Sequence, residues 1–225
     1  FSFYGCSEEQ EDTYIPEVVS DIDGNTYTTI KIGNQVWLAE NLKTTRLNDG
    51  TPITEFNSSA DSNRWSDHVN PTPFYQWSDT RDPNDLYQND LPLDFYGAMY
   101  NEAAISSGKL APEGYRIPTL KDYLALFNYL SEQGYAYYEA QALKSATGWI
   151  KNVGNGNNAV YFNALPNGYV HENGEISATE GVATLATSSF QTDGSQIIIQ
   201  LSGQNEVQFI TSGIVSGAAV RCIKE

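Results

Sequence analysis

The sequence predicts an α+β fold: a twisted antiparallel sheet, two helices and long irregular loops. Three observations carry this. Alternating apolar and polar residues near the start mark a hairpin, an amphipathic helix follows at 118–131, and short strands separated by glycine turns fill the last third. Strands, then helices, then strands again leave the first and last strands free to pair.

The elements follow in order. In "DIDGNTYTTIKIGNQVWLAENL", Thr26, Thr28, Ile30 and Ile32 share one face, and Gly33-Asn34 is a hairpin turn dipeptide. Strands are expected at 25–32 and 35–39, with Trp37 as a core anchor. Asp21 and Asp23 read as turn formers, since no third acid follows at calcium-loop spacing. Residues 44–94 keep no period and are rich in Asn, Asp, Pro, Trp and Tyr, a composition that marks a functional segment or an insertion. A short helix is expected from about Tyr96 to Ile105. The clearest helix, 118–131, opens on Pro118 with Thr119 and Asp122 as a capping box. Its stripe runs Leu120, Tyr123, Leu124, Phe127, Leu130, and Gly134 closes it. A further helix is expected at 136–146. Beyond it the reading is β, over 159–164, 168–171, 182–187, 195–201, 206–211 and 217–224.

Composition sets limits on partners. The chain of 225 residues has 40% hydrophobic content, enough for a packed core, and only 18% charged residues. The net charge of −16 repels nucleic acid and anionic lipid surfaces, and no basic cluster offsets it. Nucleic acid is therefore not an expected partner. Two cysteines are too few for a disulfide framework or a cysteine zinc site.

The first residues, "FSFYGCSEEQEDTY", switch from aromatic to acidic at Cys6. Phe1 to Gly5 reads as the end of a signal-peptide apolar run, with Cys6 as the lipidated residue of a lipobox. The acids after it resemble the export tag that sends lipoproteins of Bacteroidetes-type bacteria to the outer face of the outer membrane. The expected organisation is thus a lipobox with an acidic tether over 1–20 and one domain over 21–225. Contact with the membrane is expected through the lipid anchor only. The alternative is a disulfide between Cys6 and Cys222.

"DIDGNTYTTIKIGNQVWLAENLK", "APEGYRIPTLKDYLAL" and "AAVRCIKE", with "YGAMYNEAAI", "ALKSATGW" and "FNALPNGYVHENGE" between them, resemble the Fibrobacter succinogenes major paralogous domain family. That resemblance implies a C-type lectin-like fold, distantly similar to formylglycine-generating-enzyme domains, on secreted or surface-anchored modules with binding or adhesive roles. Relatives usually carry a paired-tryptophan stretch where this chain has Thr184 to Phe190.

Motifs for chemistry are sparse. His68 and His171 are isolated, and no P-loop, G-x-S-x-G or C-x-x-C is present. The formylglycine-generating reaction, as the resemblance implies, needs active-site cysteines near the C-terminal end, and this chain has Cys222 alone, in a strand pattern that reads as a buried thiol. No enzyme activity and no cofactor are expected. Calcium has candidate ligands in the acidic stretch holding Asp79, Asp82, Asn84 and Asp85, which also reads as a solvated loop. Sugar recognition without metal would use aromatic faces with amides and acids. The candidate ligand-binding residues are Tyr75 and Trp77 in the irregular segment, and Trp149, Asn155, Asn157, Tyr169, His171 and Asn173 after the helices. Trp77 and Trp149 read equally as core anchors. The expected function is non-catalytic recognition of glycan or protein at the cell surface. Its rivals are a structural or tip subunit of a pilus-like assembly and a formylglycine-generating-type enzyme.

Overall fold

A computed structural model describes residues 14–57, 60–61, 64–78, 91–150, 153–177, 181–203, 205–211 and 216–225. In chain order the elements are β1 Val18–Ser20, β2 Thr26–Ile32, β3 Gln35–Leu38, β4 Thr54–Glu55, β5 Phe74–Trp77 and β6 Ala98–Asn101. Then come α1 Glu102–Ser106, β7 Tyr115–Arg116, α2 Leu120–Leu130 and α3 Glu139–Leu143. The chain ends with β8 Tyr169–Val170, β9 Ile176–Ser177, β10 Ala183–Phe190, β11 Gln196–Ser202, β12 Glu206–Thr211, β13 Gly217–Ala219 and β14 Ile223–Lys224.

Among the described residues these strands make two sheets. One runs β1-β2-β3-β14-β7, and the other runs β12-β11-β10-β13-β6-β5-β4 with β8 and β9 beside β13. The last strand does not pair with the first: β14 pairs with β3, the second arm of the N-terminal hairpin, where Ile223 lies opposite Trp37, and with β7. Most pairings are antiparallel, but β10 with β13 and β4 with β5 are parallel.

The local chemistry explains the well-formed elements. Gly33 takes φ +58 in the turn between β2 and β3, and a Cβ there would meet the Tyr129 ring at 2.8 Å. Asp21 accepts from the Asp23 and Asn25 amides at 3.0 Å each, so the paired acids before β2 form a turn. Helix α2 starts at a complete capping box, in which the Asp122 amide donates to Thr119 Oγ1 and the Thr119 amide donates to Asp122 Oδ2. Its buried face, Tyr123, Leu126, Phe127 and Leu130, covers a core that includes Trp37, Trp65, Phe74 and Phe162. A second core, around Tyr27, Leu38, Tyr100, Val220 and Cys222, fills the space on the other side of the central strands.

Four expectations need correction. Residues 14–20, read as tether, belong to the fold: β1 pairs with β2, and the Tyr14 hydroxyl donates to Thr29 Oγ1 at 2.6 Å. The helix expected from about Tyr96 begins only at Glu102, because Ala98–Asn101 is a strand buried on both faces between β13 and β5. The helix expected over 136–146 shrinks to α3, Glu139–Leu143. The strand expected at 159–164 is a turn-rich loop. The α+β class holds. Cys6, Asp79, Asp82, Asn84 and Asp85 lie outside the described residues.

Candidate functional site

A groove of about 650 Å³ opens between the β2–β3 hairpin and the loop 158–163. Tyr14, Ile30 and Glu40 line one side, and Asn158, Tyr161 and Asn163 line the other.

The loop is fixed from both ends. The Gly156, Asn157 and Asn158 amides donate to the carbonyls of Ser145, Gln141 and Lys144, at the C-terminal end of α3. After the loop, the Ala164 amide donates to Leu143 O and the Ser145 amide to Ala164 O, both at 2.9 Å. Between these anchors Asn158, Tyr161 and Asn163 hold φ of +49, +59 and +51. Asparagine visits the left-handed region at modest cost, and here Asn158 Oδ1 also accepts from the Asn163 amide at 2.8 Å. A tyrosine in that region costs more. The result is a sharp division of side chains: Tyr161 is 73% exposed, while its neighbour Phe162 is fully buried against Trp37, ring centroids 5.7 Å apart.

Both walls meet at Arg221. Its guanidinium is buried, lies 4.6 Å over the Phe162 ring, and donates to the Phe162 carbonyl. On the opposite wall it donates to Ala39 O at 2.8 Å and twice to Asn41 Oδ1, at 3.0 and 2.8 Å. No carboxylate pairs with it among the described residues. Burial pulls the guanidinium down to about 10, and the neutral acceptors and ring face take the place of an anion. Glu40, next to Ala39, accepts from the Thr28 amide at 2.9 Å.

The residues expected from sequence sort into two places. Tyr75 and Trp77 form an edge-to-face pair with centroids 5.4 Å apart, and Tyr169 and His171 form another at 4.9 Å. The segments carrying these pairs meet: Gln76 Nε2 donates to Gly174 O at 2.9 Å, and Ser78 Oγ donates to Asn167 O at 2.6 Å. Tyr75 is buried, Trp77, Tyr169 and His171 are half-buried, and Asn173 is exposed. His171 Nε2 shares a hydrogen bond with Ser177 Oγ at 2.9 Å.

Trp149, Asn155 and Asn157 lie on the turns that follow α3 and make local hydrogen bonds there. Trp149 is buried, its indole N–H donates to Ser145 Oγ at 2.9 Å, and Lys144 Nζ sits 4.3 Å from its ring centroid. Asn155 Oδ1 accepts from the Trp149 amide, and Asn157 Oδ1 accepts from the Ala159 amide. Sequence reading missed Asn158, Tyr161 and Asn163. The available signal was the asparagine density of "NGNNAVYFN", which opposes the strand suggested by Ala159 to Phe162.

A second hollow, about 620 Å³, is lined by Trp65, His68 and the acids Asp67, Glu102, Glu172 and Asp193. Among the described residues no group of three His, Cys, Asp or Glu side chains is placed to hold a metal ion. Cys222 is a free, fully buried thiol, and burial drives its acidity far down, so no thiolate forms near neutral pH. No helix among the described residues is long and apolar enough to cross a membrane.

The fold and its grooves define an α+β domain that presents aromatic and amide side chains on a β scaffold. The chain belongs to the Fibrobacter succinogenes major domain family, whose model matches residues 30–224. Comparison with curated proteins and with solved structures returns no match.

Proposed function

We propose that this chain is a non-catalytic recognition module of C-type lectin-like architecture, which binds its ligand in the Tyr161 groove. One observation carries the reading. An exposed aromatic side chain is held in a costly backbone conformation over a groove whose two walls are locked by a single buried guanidinium. Strain of this kind persists where the surroundings over-determine it, and it concentrates at ligand sites. The surface bearing Tyr75, Trp77, Tyr169, His171 and Asn173 is a second place for contact.

The module is held outside the cell by acyl chains on Cys6, at the outer face of the outer membrane. The sequence switch at Cys6 supports this part of the proposal. Its test is mass spectrometry of the native protein together with protease accessibility on intact cells. An acylated Cys6 and surface cleavage are expected, and a free or disulfide-bonded Cys6 would overturn the anchor. Recognition itself is tested by saturable binding of the purified chain to immobilised glycans and surface proteins, with the ligand recovered unchanged. A ligand that is chemically converted points instead to an enzyme.

One feature favours a structural role as a second reading. Among the described residues β12 pairs with β11 alone, and Phe209 within it is 49% exposed. A free strand edge of six residues can accept a strand from a neighbouring subunit. Concentration-dependent assembly abolished by a proline in β12 would identify that role.

A further inference from the structure

We infer that the Tyr161 groove takes an uncharged glycan, with the Tyr161 ring as the stacking face for one sugar ring. This rests on the recognition reading above and narrows it from glycan or protein to one ligand class.

The first argument is the kind of groups on offer. Tyr161 supplies a broad exposed ring, and the side-chain amide of Asn163 makes no hydrogen bond among the described residues. Glu40 uses one carboxylate oxygen on the Thr28 amide and keeps the other for a donor. A sugar ring has an apolar C–H face and a rim of hydroxyls that both donate and accept. An aromatic plane flanked by an amide and a carboxylate matches both features.

The second argument concerns what the groove withholds. An extended peptide that docks by strand addition gains its grip from an open strand edge. At the groove, Thr28 and Thr29 of β2 are hydrogen-bonded on both sides: the Thr29 amide donates to Glu17 O, while Thr28 O accepts from the Ala39 amide and the Thr28 amide donates to Glu40. The groove therefore offers side chains in place of a main-chain ladder, which suits a hydroxyl-rich ligand.

Charge narrows the class again. The groove carries one acid, Glu40, and one base, Lys31, so it is locally balanced. The whole chain is at −16, which repels sulfated or uronate-rich polymers. Neutral chains carry no such penalty. Rigidity completes the case: Arg221 fixes Ala39 and Asn41 to Phe162 before any ligand arrives, so little ordering is left for binding to pay.

The experiment titrates the full chain, and its Tyr161→Ala and Tyr161→Phe variants, against an array of neutral, amine-bearing and acidic oligosaccharides. Hits are followed by calorimetry and by amide chemical-shift mapping. Thermal melts confirm that each variant folds. The expected result is binding of neutral chains, with Tyr161→Ala weakened at least about tenfold and Tyr161→Phe within about threefold of wild type. Shifts should cluster at 28–31, 39–41 and 158–163. Neutral-glycan binding that survives Tyr161→Ala and shifts residues around Trp77 and Tyr169 overturns the groove assignment while recognition stands. Preference for acidic chains overturns the ligand class. Silence across the array together with Tyr161-dependent binding of a purified surface protein sinks the glycan inference alone, and silence everywhere sinks both.

Discussion

Arg221 stacks on the ring of Phe162 and hydrogen-bonds the carbonyl of that same residue, so one buried cation grips both the side chain and the backbone of the loop that carries Tyr161. The same guanidinium reaches Ala39 and Asn41 across the groove. Lysine cannot reproduce this, because a point charge lacks the planar fork. Arg221→Lys and Arg221→Met are each expected to lose roughly 3 kcal/mol, since several buried acceptors lose a charged donor. Urea denaturation checks the size. Loss of the positive φ at Tyr161, followed through amide and ring resonances near 158–163, checks the mechanism. A change below about 0.5 kcal/mol would remove Arg221 from its clamping role.

Asp122 closes the N-terminus of α2 and also receives a two-pronged ion pair from Arg116, at 2.7 and 2.9 Å. Burial pushes its carboxyl up, but the Arg116 fork with the Thr119 hydroxyl and amide outweighs it and holds the group at about 2. The folded value lies below the ordinary carboxylate value of 3.8, so Asp122 stabilises the fold above that pH and its contribution fades as pH falls toward 2. Asp122→Asn is expected to cost about 1–2 kcal/mol at pH 6 and to flatten the stability curve between pH 4 and 2. Parallel acid titrations of the unfolding midpoint decide it, and two curves of equal slope would exclude the linkage.

Lys144 is fully buried, with Nζ donating to Gly203 O at 2.6 Å and lying over the Trp149 ring. Burial lowers its ammonium to about 8 from an ordinary 10.5. Below pH 8 both folded and unfolded states carry the charge and the cost of burying it is fully present. Between pH 8 and 10.5 the unfolded state binds more protons, so stability rises with pH. Lys144→Met keeps an unbranched side chain, one heavy atom shorter, and drops the charge. It is expected to be at least as stable as wild type at pH 7 and to lack the rise. The stability difference between the two proteins, measured from pH 7 to 10.5, isolates this contribution because the buried tyrosines and Cys222 titrate equally in both.

Local signals foretold the elements that local chemistry builds. The capping box of Thr119 and Asp122, the Gly33 turn and the hairpin of β10 and β11 each follow from residues adjacent in sequence. Elements decided by distant partners were not legible. Ala98–Asn101 is apolar on both faces because two strands and two cores enclose it, and such a run cannot be told from a buried helix by period. The 158–163 loop contains "AVYF", a good strand by propensity, yet α3 holds one end and Arg221, about sixty residues later, holds the other. The site fails in the same way: Tyr161 becomes prominent only because Phe162 is claimed by that distant arginine. Asn155 and Asn157, expected to offer amides to a ligand, each use Oδ1 to accept a backbone N–H of the neighbouring turns.

The strain at Tyr161 supplies a last prediction that separates function from stability. A residue with a Cβ is disfavoured at φ +59, and glycine is not. Tyr161→Ala removes the ring and keeps the disfavoured backbone, whereas Tyr161→Gly removes both. Because the ring is 73% exposed, its loss sacrifices little buried surface. Tyr161→Gly should therefore be more stable than Tyr161→Ala by about 1 kcal/mol, and no less stable than wild type within about 0.5 kcal/mol. Both variants should lose ligand binding to the same degree. Thermal and urea unfolding rank the three proteins directly. If alanine matches or exceeds glycine, the loop has relaxed out of the left-handed region and its backbone was not imposed by the clamp. If glycine is the more stable and binding is lost in both, the tyrosine is retained at an energetic cost that its ligand contact, and not the fold, accounts for.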